Sequence, residues 1–137
     1  MANDSLEGGL VSRGQVKFFT PLLFEALLEK THTELGFDER LCVWSFERLE
    51  GKPSVKLFRS VIDVLKSRNI LAHEALYVGN DVRNDIGPAA TLGVKTALFA
   101  GDDRSLRLRE DDPGCAGVQP DVVLTCISQI VSVIEDR

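Results

Sequence analysis

Apolar positions in this 137-residue chain follow two rhythms, and the rhythms alternate. Short, mostly unbroken apolar runs at Gly9–Ser12, Leu41–Phe46, Ala75–Val78, Val94–Ala100 and Asp121–Leu124 predict strands. Between them, apolar residues return every third or fourth position. Leu22, Leu23, Ala26, Leu27 and Leu28 predict a helix within Phe18–Leu35, with Thr20 as its N-cap, Pro21 in its first turn and Gly36 as its stop. Val55, Phe58, Val61, Ile62 and Leu65 fall on one face of a second helix over Ser54–Arg68. Further helices are predicted over Asn84–Leu92 and Ser128–Glu135, and polar connections over Glu47–Pro53 and Gly101–Pro120.

Strand and helix thus alternate as β-α-β-α-β-α-β-loop-β-α. That order predicts an α/β fold: a three-layer, Rossmann-like parallel sheet with helices on both faces. The strands read as continuous apolar runs because both faces of such a sheet are covered. The length predicts one domain over residues 1–137.

Composition changes this picture little. Apolar residues make up 44%, which excludes a disordered chain, and no apolar run is long enough to cross a bilayer. A net charge of −5 and the lack of any Lys/Arg-rich run argue against a nucleic-acid or membrane partner. Arg104, Arg107 and Arg109 lie beside Glu110, Asp111 and Asp112 and read as a solvated loop. Three cysteines without metal-type spacing predict no disulfide framework and a cytoplasmic location, with Cys42 and Cys126 as small core residues. The opening MANDSLEGG has neither the basic nor the apolar part of a secretory signal.

Candidate chemistry sits at predicted strand ends. The stretch LYVGNDVRNDIGPAA brings Asn80, Asp81 and Asp85 together after a buried strand. Crowded carboxylates at the carboxyl end of a parallel strand repel one another, and a divalent cation can neutralise them. Ser12 follows GLV and Lys52 lies in GKPS, just before a helix. A hydroxyl, a lysine and a carboxylate pair converging on one crevice suit a phosphoryl group and Mg²⁺. Each also has a plain structural reading: Ser12 as a turn residue, Lys52 as a solvated lysine and Asp85 as a helix cap.

Taken in order, VSRGQVKFFTPLLFEAL, LCVWSFERLEGKPS and YVGNDVRNDIGPA resemble motifs two, three and four of the haloacid dehalogenase superfamily. That family consists mostly of Mg²⁺-dependent phosphatases and phosphotransferases on a Rossmann-like sheet. The resemblance implies that Ser12 binds phosphate, and that Lys52 binds phosphate and supports a catalytic nucleophile. It implies further that Asp81 and Asp85, with Asn80 beside them, hold the metal. A small phosphorylated compound would be the substrate. The family's first motif, an Asp-x-Asp whose first carboxylate is the nucleophile, has no counterpart in these 137 residues, and no cap insert is present. Without that carboxylate no aspartyl-phosphate can form.

The expectation is therefore a capless haloacid dehalogenase-like domain without its first strand. It is either an incomplete, truncated hydrolase or a non-catalytic binding or assembly module derived from one. A receiver-like domain accepting phosphate on Asp81 is a weaker third reading. A missing central strand would bare two strand edges. Two outcomes are open: Gly9–Val11 pairs directly with the strand ending at Gly79, or two copies cover each other as a homodimer.

Overall fold

A computed structural model describes residues 9–12, 15–18 and 51–135. The helix expected within Phe18–Leu35, the strand Leu41–Phe46 and Cys42 lie outside those residues, except that Phe18 itself closes a strand. The described chain forms β1 (Gly9–Ser12), β2 (Gln15–Phe18), α1 (Val55–Ser67), β3 (Ala75–Gly79), α2 (Gly87–Thr91), β4 (Lys95–Phe99), β5 (Val122–Leu124) and α3 (Gln129–Glu135).

The sheet order is β2-β1-β3-β4-β5. β3, β4 and β5 run parallel, in the register Val78↔Ala97 and Ala97↔Val122. β1 runs antiparallel to both of its neighbours. The sequence pattern predicted strands of one direction throughout, and the first strand departs from it. Only Arg13 and Gly14 separate β1 from β2, a length that permits a hairpin, whereas a parallel crossover needs a dozen or more residues. β1 pairs directly with β3 from Gly9↔Val78 to Ser12↔Ala75, so the edge of β3 is covered within the chain.

Strand alternation divides β3 between two cores. Ala75 and Tyr77 point to one side, where Leu57, Phe58, Val61 and Leu65 of α1 pack with Ala89 and Val94. Leu76 and Val78 point to the other, against Ala97, Leu124 and Ile130 of α3. Three layers result, as expected of a sheet with both faces apolar. Ser54 caps α1 by accepting from the Lys56 amide at 3.3 Å. At the far side, Asp121 clasps β4: its Oδ2 accepts from the Thr96 amide at 2.8 Å and from Thr96 Oγ1 at 3.1 Å. Burial alone would raise the Asp121 carboxyl, but these Thr96 bonds and nearby Lys95 hold it below the ordinary range.

One cysteine departs from the core reading. Cys126 is exposed, beside Ser128, and Cys115 is partly buried; both are free thiols. The Ser128 hydroxyl lowers the Cys126 thiol pKa. Among the described residues, no helix is long and apolar enough to cross a membrane.

Candidate functional site

The candidate chemistry gathers where β3 ends. Gly79 is the last residue of the strand, and a Cβ there would stand 2.4 Å from Asp85 Cβ and 2.6 Å from Asp85 Oδ2. The position therefore needs glycine for close approach, because any side chain would displace the Asp85 carboxylate. After Gly79 the chain enters a wide π-helical turn over Val82–Ile86, in which the Gly87 amide reaches Val82 O, and then runs into α2. Single π-helical turns of this kind are frequent at functional sites.

Asp85 is held from four directions. Its Oδ1 accepts from Lys52 Nζ at 2.5 Å and from the Tyr77 hydroxyl at 3.1 Å. Its Oδ2 accepts from the amides of Asn80 and Asp81 at 3.2 and 3.1 Å. It caps no helix, so the capping alternative for Asp85 does not hold. The capping residue is Asp81, whose Oδ1 accepts from the amides of Arg83 at 2.9 Å and Asn84 at 3.1 Å. Lys52 is delivered by the turn Gly51–Ser54, closed by the Ser54 amide donating to Gly51 O at 2.9 Å. Its ammonium sits 5.9 Å from the centre of the Tyr77 ring, which in turn packs on Phe58 at 5.2 Å.

Asp81 meets a second cation. Arg109 Nε donates to its Oδ1 at 3.1 Å and Nη2 to its Oδ2 at 2.5 Å, while Asn84 Nδ2 adds a bond to Oδ2 at 3.0 Å. Burial pushes the Asp81 carboxyl up, but the Arg109 fork and the Asn84 and Arg83 amides outweigh it and hold the group below its usual range. Asp81 in turn raises the Arg109 guanidinium. The expectation of a solvated Arg104–Asp112 loop therefore fails at Arg109.

Asn80 ties that same loop down. Its Nδ2 donates to Ser105 O at 3.1 Å, its carbonyl accepts from the Arg107 amide at 2.8 Å, and the Val82 amide donates to Arg107 O at 2.9 Å. Residues 105–107 thus continue the ladder past the end of β3, with Asp81 bridged to Arg107. An open groove of about 730 Å³ is lined by Asp103 and residues 106–113 and, among the described residues, shares Arg109 with the cluster.

The structure brings Lys52, Asn80, Asp81 and Asp85 together, as the sequence pattern anticipated. It does not bring Ser12 to them. Because β1 is antiparallel to β3, Ser12 pairs with Ala75, the first residue of that strand, whereas the cluster follows Gly79, the last. Roughly 13 Å of strand separates the two ends. Tyr77 and Arg109 belong to the cluster and were not singled out from sequence. Tyr77 was hidden in an apolar run, although a lone tyrosine there is a hydroxyl in need of a partner.

The metal that the fold family implies can be tested against this donor set. A carboxylate offers about four lone-pair sites. Asp85 already accepts four hydrogen bonds and Asp81 five. Among the described residues, two aspartates are balanced by one lysine and one arginine. Asn80 turns its amide to the loop. Among the described residues, no three His, Cys, Asp or Glu side chains cluster closely enough to hold an ion. As arranged, the residues do not fit a divalent cation.

Comparison with known proteins gives the fold. No family model matches the sequence, and no curated protein matches it. Solved structures do match. The magnesium-bound HAD-hydrolase YfnB of Bacillus subtilis is 14% identical with a TM-score of 0.61, over 82% of this chain and 45% of that one. A haloacid dehalogenase-like protein of unknown function from Agrobacterium tumefaciens is 16% identical with a TM-score of 0.58, over 83% and 51%. A HAD phosphatase from Thermococcus onnurineus is 18% identical with a TM-score of 0.55, over 78% and 43%. The chain has the haloacid dehalogenase-like fold and spans about half the length of the structures it matches.

Proposed function

We propose that this chain is a haloacid dehalogenase-like domain that does not hydrolyse phosphate esters by itself and serves as a binding or assembly module. Mg²⁺-dependent phosphate-ester hydrolysis is the chemistry of its lineage. The observation that carries the reading is the pairing of β1 with β3. The resemblance to the haloacid dehalogenase superfamily implies that the strand bearing the nucleophile lies between those leading to motifs two and four, the latter being the strand that ends in the acidic turn. Here that edge is held by Gly9, Leu10, Val11 and Ser12, none of which is a carboxylate. For an aspartate on another strand to pair with Ala75–Val78 on this edge, β1 would have to leave.

The state of the remaining residues supports the same reading. Lys52, which would offset phosphate charge, is engaged by Asp85. Asp81, which would have to accept phosphate in a receiver-like scheme, is engaged by Arg109. Ser12 lies at the wrong end of β3 to bind the same anion. A net charge of −5 disfavours nucleic acid and anionic membranes, and the odd number of cysteines suits a reducing cytoplasm. With the β3 edge covered internally, a homodimer would have to form through other surfaces.

The test is turnover of para-nitrophenyl phosphate in Mg²⁺ by the purified chain. The expected rate equals that of Asp85→Asn, at background. Turnover that disappears on Asp81→Ala or on chelation contradicts the proposal.

A further inference from the structure

We propose that Arg109 is a built-in counter-cation: its guanidinium occupies Asp81, the carboxylate that the family resemblance assigns to a divalent metal, and it closes the acidic turn to such ions. This rests on the lineage reading of the fold and is independent of whether the chain turns over a substrate.

Three observations carry it. The first is the contact itself. Arg109 engages both oxygens of Asp81 through Nε and Nη2, the planar fork geometry that matches a carboxylate and that a lysine cannot reproduce. The second is how Arg109 is delivered. The loop is bonded to Asn80 and Val82 at residues 105 and 107, and Leu106 is packed on Val82, Ile86 and Leu98. Arg109 itself holds φ at 59°, the left-handed region that a side chain with a Cβ adopts only when its surroundings demand it. The third is charge. Asp81 and Asp85 are balanced by Arg109 and Lys52, and nearby Asp112 is paired with Arg83 at 3.4 Å. Among the described residues the cluster is already neutral, and a divalent ion would have to displace hydrogen bonds to find a ligand.

Because Leu106 and the Asn80 bonds hold the loop independently of Arg109, replacing that side chain should open the site without unfolding the protein. Mn²⁺, a paramagnetic substitute for Mg²⁺, is the probe, and broadening of the Asn80–Asp85 amide signals in NMR spectra is the readout. Arg109→Gln is expected to bind Mn²⁺ about tenfold or more tightly than the parent, the scale of losing a charge-assisted competitor. Arg109→Lys, which keeps the charge, is expected to stay closer to the parent. Equal affinity in the parent and a folded Arg109→Gln overturns the proposal. Should Arg109→Gln fail to fold, the parent decides: broadening at Asn80–Asp85 that Asp81→Asn removes overturns the proposal, and its absence upholds it. Turnover has no part in this readout, so failure here and failure of the non-hydrolytic reading are separate results.

Discussion

Asp85 and Asp81 lie four positions apart on one turn, and each faces one cation, yet the two pairs are different devices. The Asp85 side chain is 1% exposed and its partner Lys52 9%, whereas Asp81 is 9% exposed and Arg109 34%. The first pair is sealed between α1, β3 and the π-helical turn, with Tyr77 and two backbone amides completing it. The second sits at the rim, where water reaches the arginine. A sealed pair contributes little over an apolar filling but is costly to half-remove, because the survivor is left charged without a partner. A rim pair is screened and adjustable. The comparison shows why the same acidic turn is sealed at one carboxylate and open to solvent screening at the other.

Breaking the sealed side should give the largest effect. Lys52→Met leaves Asp85 buried and uncompensated, and a loss of about 3–5 kcal/mol is expected in urea denaturation. That is a large share of the 5–15 kcal/mol typical of a domain. The double variant Lys52→Met with Asp85→Leu should be more stable than Lys52→Met alone; a double variant that is worse would mean the ion pair itself, not the orphaned charge, holds this region.

Gly79→Ala presses on the same carboxylate by shape alone. The added Cβ would meet Asp85 at 2.4 Å, and a loss of about 1–3 kcal/mol is expected from overpacking. An unchanged urea midpoint would show that the turn has more room than the structure gives it.

The rim side should respond mildly and to pH. The Asp81 carboxyl is lowered, so its contribution is complete above the ordinary carboxylate value of about 3.9 and is lost as pH falls through its lower folded value. Removing the guanidinium in Arg109→Gln leaves burial to push the carboxyl up toward its unfolded value, so stability near neutral pH should fall and the acid limb of the stability curve should become shallower. Urea midpoints measured across the acid range check this, and an unchanged limb would show that the Asn84 and Arg83 amides suffice.

Much of the fold was legible in the residue pattern because burial writes itself into hydrophobic periodicity. Val55–Ser67, Ala75–Gly79, Lys95–Phe99 and Gln129–Glu135 fall within or close to their predicted spans. Strand direction was not legible. GLVS has the same apolar content whichever way it runs, and β2, with its alternating QVKF, was not predicted, only its last residue Phe18 falling in the span of a predicted helix. The signal was present in the two-residue Arg13-Gly14 spacing, since a short link ending in glycine between two brief strand patterns favours a hairpin. That one reversal moved Ser12 away from the site. The acidic turn was legible through GNDVRND, and so was its meeting with Lys52. Arg109 was not, because it lies 28 residues from Asp81 in a stretch of mixed charge, and only the loop's bonds to Asn80 select it from Arg104 and Arg107.

The central claim is that the charges of Asp81 and Asp85 are answered from within the chain. The most direct measurement is a crystal structure of the protein grown in Mg²⁺. The account predicts the Arg109 fork on Asp81, Lys52 on Asp85 and no cation between them. An octahedral ion with oxygen ligands at about 2.0–2.1 Å bridging the two aspartates, with Arg109 displaced, would contradict it.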